Sequence, residues 1–76
     1  MNKQRRKMIE DVKTRLDELK SSIEMILEEE REAYDNMPES LQESERGQAM
    51  DDAIYALDSA LEACDEVKEH LDEAQQ

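Results

Sequence analysis

Two side chains of this 76-residue chain are of the types that serve as nucleophile, general base or soft metal ligand, the single cysteine Cys64 and the single histidine His70. A lone cysteine closes no internal disulfide and suits a reducing compartment. Its place in an apolar stripe makes Cys64 a small buried packing group first, and a cross-dimer disulfide or reactive thiol second. Glu66 and His70 stand four residues apart, so they share a helical face and offer two metal ligands without a third. The Glu-x-x-His signature of di-iron bundles is absent, because Val67 occupies the position three before the histidine. There is no Gly-rich phosphate loop and no set of nucleophile, base and orienting group. The residues therefore predict a non-enzymatic protein with no catalytic residue, no metal and no cofactor.

The remaining chemistry is charge. The chain holds 22 acidic and 10 basic residues, a net charge of -12. Glu28-Glu29-Glu30 and Asp51-Asp52 lack the glycine and alternating ligands of a calcium loop. They read as solvated helix faces, or as an ordered row of carboxylates that imitates DNA phosphates toward a basic groove on another protein. Lys3, Arg5, Arg6 and Lys7 open the chain like a signal peptide, but Met8-Ile9-Glu10-Asp11 follows where an apolar segment belongs. The longest apolar run is Ala53 to Leu57, far below the ~18 residues a membrane span requires. The expectation is a cytoplasmic protein, mature as written, with no membrane partner. Duplex nucleic acid is not expected to bind, since most of the chain repels phosphate and no aromatic stacking group accompanies the basic cluster. In an oligomer, copies of Arg5, Arg6 and Lys7 could converge on a small anion. Arg31 and Arg46, with Tyr34 nearby in sequence, offer a second such place. Intersubunit salt bridges are the plainer use of all of them.

These groups must be positioned by helices, because the chain has one Gly, one Pro, two Tyr and no Phe or Trp. Ile9, Val12, Leu16, Leu19, Ile23 and Ile26 alternate three- and four-residue steps, with Ile9, Leu16 and Ile23 at heptad position a and Val12, Leu19 and Ile26 at d. The pattern predicts a helix over about 3–36. A second stripe has Met50, Leu57, Cys64 and Leu71 at a, with Ala53, Ala60, Val67 and Ala74 at d, and predicts a helix over about 45–74. Its face is broad: Ile54 and Leu61 flank one side, Ala49, Ala56 and Ala63 the other.

The connection, about 36–47, is the one stretch off the heptads. Pro38 disfavours helix at Met37 and stops the first helix. Asn36 with Glu39, and Ser40 with Glu43, have capping-box spacing, which places a short helical turn inside the connection. Ser44 is the best cap for the second helix, with Gly47 in its first turn. A connection of about 12 residues exceeds the ~2–8 usual between bundle helices, and Met37 and Leu41 could fold it over the bundle end. Charge divides along the chain: residues 1–20 carry seven basic and four acidic groups, residues 21–76 three basic and eighteen acidic. An antiparallel hairpin would set Lys3, Arg5, Arg6 and Lys7 beside Glu66, Glu69, Asp72 and Glu73, leaving the connection end strongly negative. One hairpin buries only its facing seam, so the expected fold is all-α: an antiparallel two-helix hairpin with heptad seams, associating into a homo-oligomeric helical bundle, foremost a dimeric four-helix bundle. Met8, Leu27 and Tyr34 and the alanine face of the second helix are expected at the second interface.

The run from Glu30 to Gly47, above all Asn36-Met37-Pro38-Glu39 and Ser44-Glu45-Arg46-Gly47, followed by an Ala- and acid-rich helix, resembles small acidic proteins encoded in phages and prophages of Gram-positive bacteria. The resemblance implies an accessory protein, such as an antagonist of a host defence factor; it assigns no residue a role. Combined with the off-pattern connection, it suggests binding to a host protein through Tyr34, Asn36, Met37, Glu39, Leu41, Glu43 and Arg46. Two other readings stand beside it: an oligomeric sponge for an anionic nucleotide messenger, using Arg5, Arg6, Lys7, Arg31 or Arg46, and a structural coiled-coil assembly protein.

Overall fold

Local signals set where each helix begins and ends. The computed structural model describes residues 1–76 and is all-helical: α1 spans Lys3–Asp35, α2 Glu39–Gln42 and α3 Glu45–Gln75. Asn2 caps α1, its side-chain oxygen accepting from the Arg5 amide at 2.8 Å. Nothing in the 33 residues of α1 interrupts it, and it ends where Pro38 can no longer continue the backbone bonds. Asn36 closes its last turn, donating to Glu32 at 3.0 Å. The capping boxes expected in the connection do not form: Pro38 is the cap residue of α2 and has no side-chain cap bond. Gln42 holds the turn instead, its amide donating to the carbonyls of Tyr34 at 2.9 Å and Met37 at 3.3 Å. Ser44 caps α3, accepting from the Gly47 amide while its own hydroxyl donates to Leu41.

Gly47 has a reason beyond its place in a first turn. It is buried, and a Cβ built there would lie 2.0 Å from the Gln42 carbonyl oxygen and 2.4 Å from its carbon. The end of α2 thus sits directly on the backbone of α3, a contact that only the residue without a side chain permits.

The two long helices lie antiparallel in a rod of 58 × 15 × 12 Å. Their register is set by three ion pairs, Lys13–Asp72 at 2.5 Å, Lys20–Asp65 at 2.7 Å and Asp17–Lys68 at 3.4 Å. Each step up α1 is a step down α3. The positions of α1 that lose most exposure are Ile9, Lys13, Leu16, Lys20, Ile23, Leu27, Glu30 and Tyr34; on α3 the seam is formed by Gly47, Met50, Ile54, Leu57, Leu61, Cys64, Lys68, Leu71 and Gln75, with Asp58 half-buried beside it. Both sets alternate three and four, but they pair column a with column e. Column d of α1, with Val12, Leu19 and Ile26, is exposed, and so are Val67 and Ala74 of α3, while Ala53 and Ala60 are half-buried. The apolar a/d stripe of each helix is therefore turned about 50° away from its intrachain neighbour, at 3.6 residues per turn.

Because the helices run in opposite directions, the same rotation on each brings both d columns to one side of the hairpin. The other side is polar: Asp17 and Arg31 of α1 and Asp58, Asp65 and Asp72 of α3 all stand at position b, and Arg31 reaches Asp58 across it. Burial is correspondingly thin. Only Leu27, Gly47 and Cys64 are buried among 76 residues, Leu27 most completely at 3% exposure. One layer of helices has no second layer to close its core.

Candidate functional site

The connection end and its neighbours carry most of the residues that the sequence marks for contact. Tyr34 and Met37 are half-buried under the turn, while Asn36, Glu39, Leu41, Glu43 and Arg46 are exposed. They share one end of the rod, held by the Gln42 bonds and by α2 resting on Gly47. Residues 28–45 contain eight carboxylates and one cation, Arg31. That cation is engaged: its Nη2 donates to both carboxylate oxygens of Asp58, at 3.1 and 3.0 Å. The end is thus an ordered acidic knob and not a loose loop.

The five cations of the anion-binding reading do not meet within one chain. Arg5, Arg6 and Lys7 are exposed in the first turns of α1. Arg31 lies about 39 Å away along the same helix at ~1.5 Å per residue, and Arg46 starts α3 beyond the connection. Lys3, Arg5, Arg6 and Lys7 form no intrachain salt bridge. The acidic end of α3 is bridged from further along α1, by Lys13 to Asp72; Gln75 donates to the Arg6 carbonyl at 3.2 Å and to Glu10 at 2.7 Å.

Lys13 and Lys20 are the residues that the periodicity passed over. Both stand at column e, four after Ile9 and Leu16, and lay their aliphatic stems along the seam while the ammonium groups reach acids at position b of α3. The available signal was a seven-residue spacing shared by Lys13 and Lys20 on one helix and Asp65 and Asp72 on the other. The hydrogen bond to Asp72 holds the Lys13 ammonium above its ordinary value of 10.5, against the opposing effect of burial; the bond and charge of Asp65 do the same for Lys20. A raised folded-state value means that these pairs stabilise fully below the unfolded value and lose that contribution as pH climbs past the folded one. Thermal midpoints measured from pH 9 to 12 should fall at the alkaline end, and a Lys13→Met/Lys20→Met variant should show a shallower fall. An equally steep fall in the variant would assign it to other groups.

Cys64 is buried and unpaired by disulfide, and His70 is exposed with Nδ1 3.9 Å from Glu73. No three His, Cys, Asp or Glu side chains are grouped to hold a metal ion. Two shallow grooves mark the surface, one along Tyr55, Asp58, Leu61 and Asp65, the other along Met8, Asp11, Val12 and Arg15. No helix is long and apolar enough to cross a membrane. Compared with known protein families, curated proteins and solved structures, the chain matches none.

Proposed function

We propose that this is a non-enzymatic, self-associating helical binding protein whose acidic connection end engages a basic surface on another protein. The role implied by the phage resemblance, an accessory antagonist or modulator of a host factor acting in the cytoplasm, is the setting in which such a surface would work. The observation that carries the reading is the acidic knob. Glu28, Glu32, Glu39 and Glu43 are exposed on a backbone fixed by Pro38, Gln42 and Gly47. Ordered carboxylates bind a basic groove without the ordering cost that a flexible acidic loop would bear. Long-range attraction would also raise the association rate and make it salt-sensitive.

The test is a quadruple Glu→Gln variant at 28, 32, 39 and 43, compared with the wild-type chain for capture of protein partners from a host lysate at low and moderate salt. Expected is loss of the captured partner, on the order of 100-fold in affinity, with unchanged helicity. Equal capture by both proteins would end the acidic-contact reading. The nucleotide-sponge alternative has less support, since Arg31 is occupied by Asp58 and the remaining cations sit at opposite ends of the hairpin. Calorimetry against cyclic dinucleotides and ADP-ribose derivatives tests it directly, and a heat of binding would reverse the ranking. The assembly-protein alternative shares the self-association and dispenses with the partner.

A further inference from the structure

The open side of the hairpin differs from the rest of the molecule in both hydropathy and charge. Its surface is formed by columns d and g of α1 and α3. Of the 22 acidic residues in the chain, only Glu29 lies in those columns. Leu19 and Ile26 are 54% and 52% exposed there, beside Met8, Val12 and Val67, and column g of α3 adds Ala49, Ala56 and Ala63. A chain of net charge -12 repels its own copies nearly everywhere except on this side.

We infer that this face binds a second copy of the chain, with the two hairpins antiparallel about a two-fold axis at the level of Ser22 and Ala63, forming a four-helix bundle. The inference rests on the self-association proposed above and adds its face and orientation. Three observations select this occupant and this arrangement. First, each a/d stripe points between the intrachain neighbour and the open side, the direction of the centre of a four-helix bundle, with e flanking one interface and g the other. Second, the register that pairs Lys20 with Asp65 puts Ser22 level with Ala63. Both are small, and both lie in column g. An axis there stacks α1 on α1 of the second copy and α3 on its α3, with Leu19 close to Ile26, Ala63 facing Ala63 at close range and Ala56 level with His70.

The third observation is charge. About that axis Arg15 of one copy meets Glu29 of the other, the single acid of the face. Arg5, at position d and with no ion pair within the chain, comes beside the acidic connection of the second copy, level with Glu39. The opposite choice, with both connections at the same end, would crowd the two acidic knobs together and leave Arg15 and Glu29 unpaired. The outline of the face, 58 by 15 Å, is on the order of the ~800 Å² that each partner gives to a stable interface. Glu28, Glu32 and Asp35 stand at positions f and c, away from this side. The dimer would therefore carry one acidic surface at each end of the rod.

Sedimentation equilibrium of the full chain, with Leu19→Glu, Arg15→Glu, Glu29→Arg and the double swap Arg15→Glu/Glu29→Arg, tests the inference. Expected are a wild-type dimer, a Leu19→Glu monomer, and single charge reversals each weakened on the order of tenfold, with the double swap restored. Residues 15 and 29 are four turns apart on one helix, so only contact between copies can couple them. Leu19 is more than half exposed in a single hairpin; helix lost together with the dimer in Leu19→Glu therefore also reports on this face, and the swap cycle decides the orientation. A dimer that survives Leu19→Glu, or a double swap no better than the single reversals, overturns the face or the orientation and leaves self-association standing. A wild-type monomer at all concentrations overturns both.

Discussion

Gly47→Ala is expected to destabilise the protein by about 2–3 kcal/mol, the upper part of the usual range for forcing atoms into occupied space. The sign is the informative part. On helix propensity alone the change should stabilise, since alanine is favoured over glycine by up to ~1 kcal/mol within a helix. Packing predicts the reverse, because the added Cβ would lie 2.0 Å from the Gln42 carbonyl oxygen and 2.6 Å from its Cα, and those are backbone atoms that no rotamer change can move aside. Relief requires α2 to lift off α3. That would pull at the Gln42 bonds to Tyr34 and Met37 and loosen the acidic knob. A domain of this size has a total stability of about 4–11 kcal/mol at ~0.05–0.15 kcal/mol per residue, so the loss is a large share. Thermal and urea unfolding of Gly47→Ala beside the wild-type chain measure it. A rise in the midpoint would show that α2 yields at little cost and that the knob is not rigidly held.

Leu27→Ala should cost a similar amount, about 2–4 kcal/mol for removing the most buried large side chain. The upper end of the range for leucine truncation is not expected, because a thin layer of two helices can partly collapse around the space. Leu27 faces the intrachain partner. Its loss should therefore lower stability at every protein concentration, whereas truncating the open Leu19 should matter only where copies associate. Urea unfolding at two concentrations a hundredfold apart separates the cases. Equal, concentration-dependent losses for Leu27→Ala and Leu19→Ala would contradict the different placement of the two columns.

These two residues also show how far the sequence could be read. The helices were legible because their signals are local. Alternating three- and four-residue steps mark an apolar stripe, Pro38 ends α1, and Ser44 opens α3. The antiparallel sense was legible from the uneven charge, although the salt bridges fall on Lys13, Lys20, Arg31 and Lys68 and leave Lys3, Arg5, Arg6 and Lys7 without any. Leu27 and Tyr34 were placed at the second interface by periodicity, yet they sit in the seam within the chain. The roles of Gln42 as the clamp of the turn and of Gly47 as a point of backbone contact had no signal in residue spacing, since each depends on where α2 comes to rest.

An apolar stripe specifies which side of a helix avoids water, and for α1 and α3 the amino-acid order alone determined that. A stripe about three columns wide has two shoulders, however, and spacing along one helix treats them alike. Which shoulder meets the partner depends on how the turn from Asn36 to Ser44 delivers α3 and on which flank allows Lys13 and Lys20 to reach Asp72 and Asp65. Those are relations between residues 45 to 59 positions apart, set only when both helices are in place. The tertiary structure thereby decided that the e shoulder closes the hairpin, so that the d shoulder, with Val12, Leu19, Ile26 and Val67, faces outward.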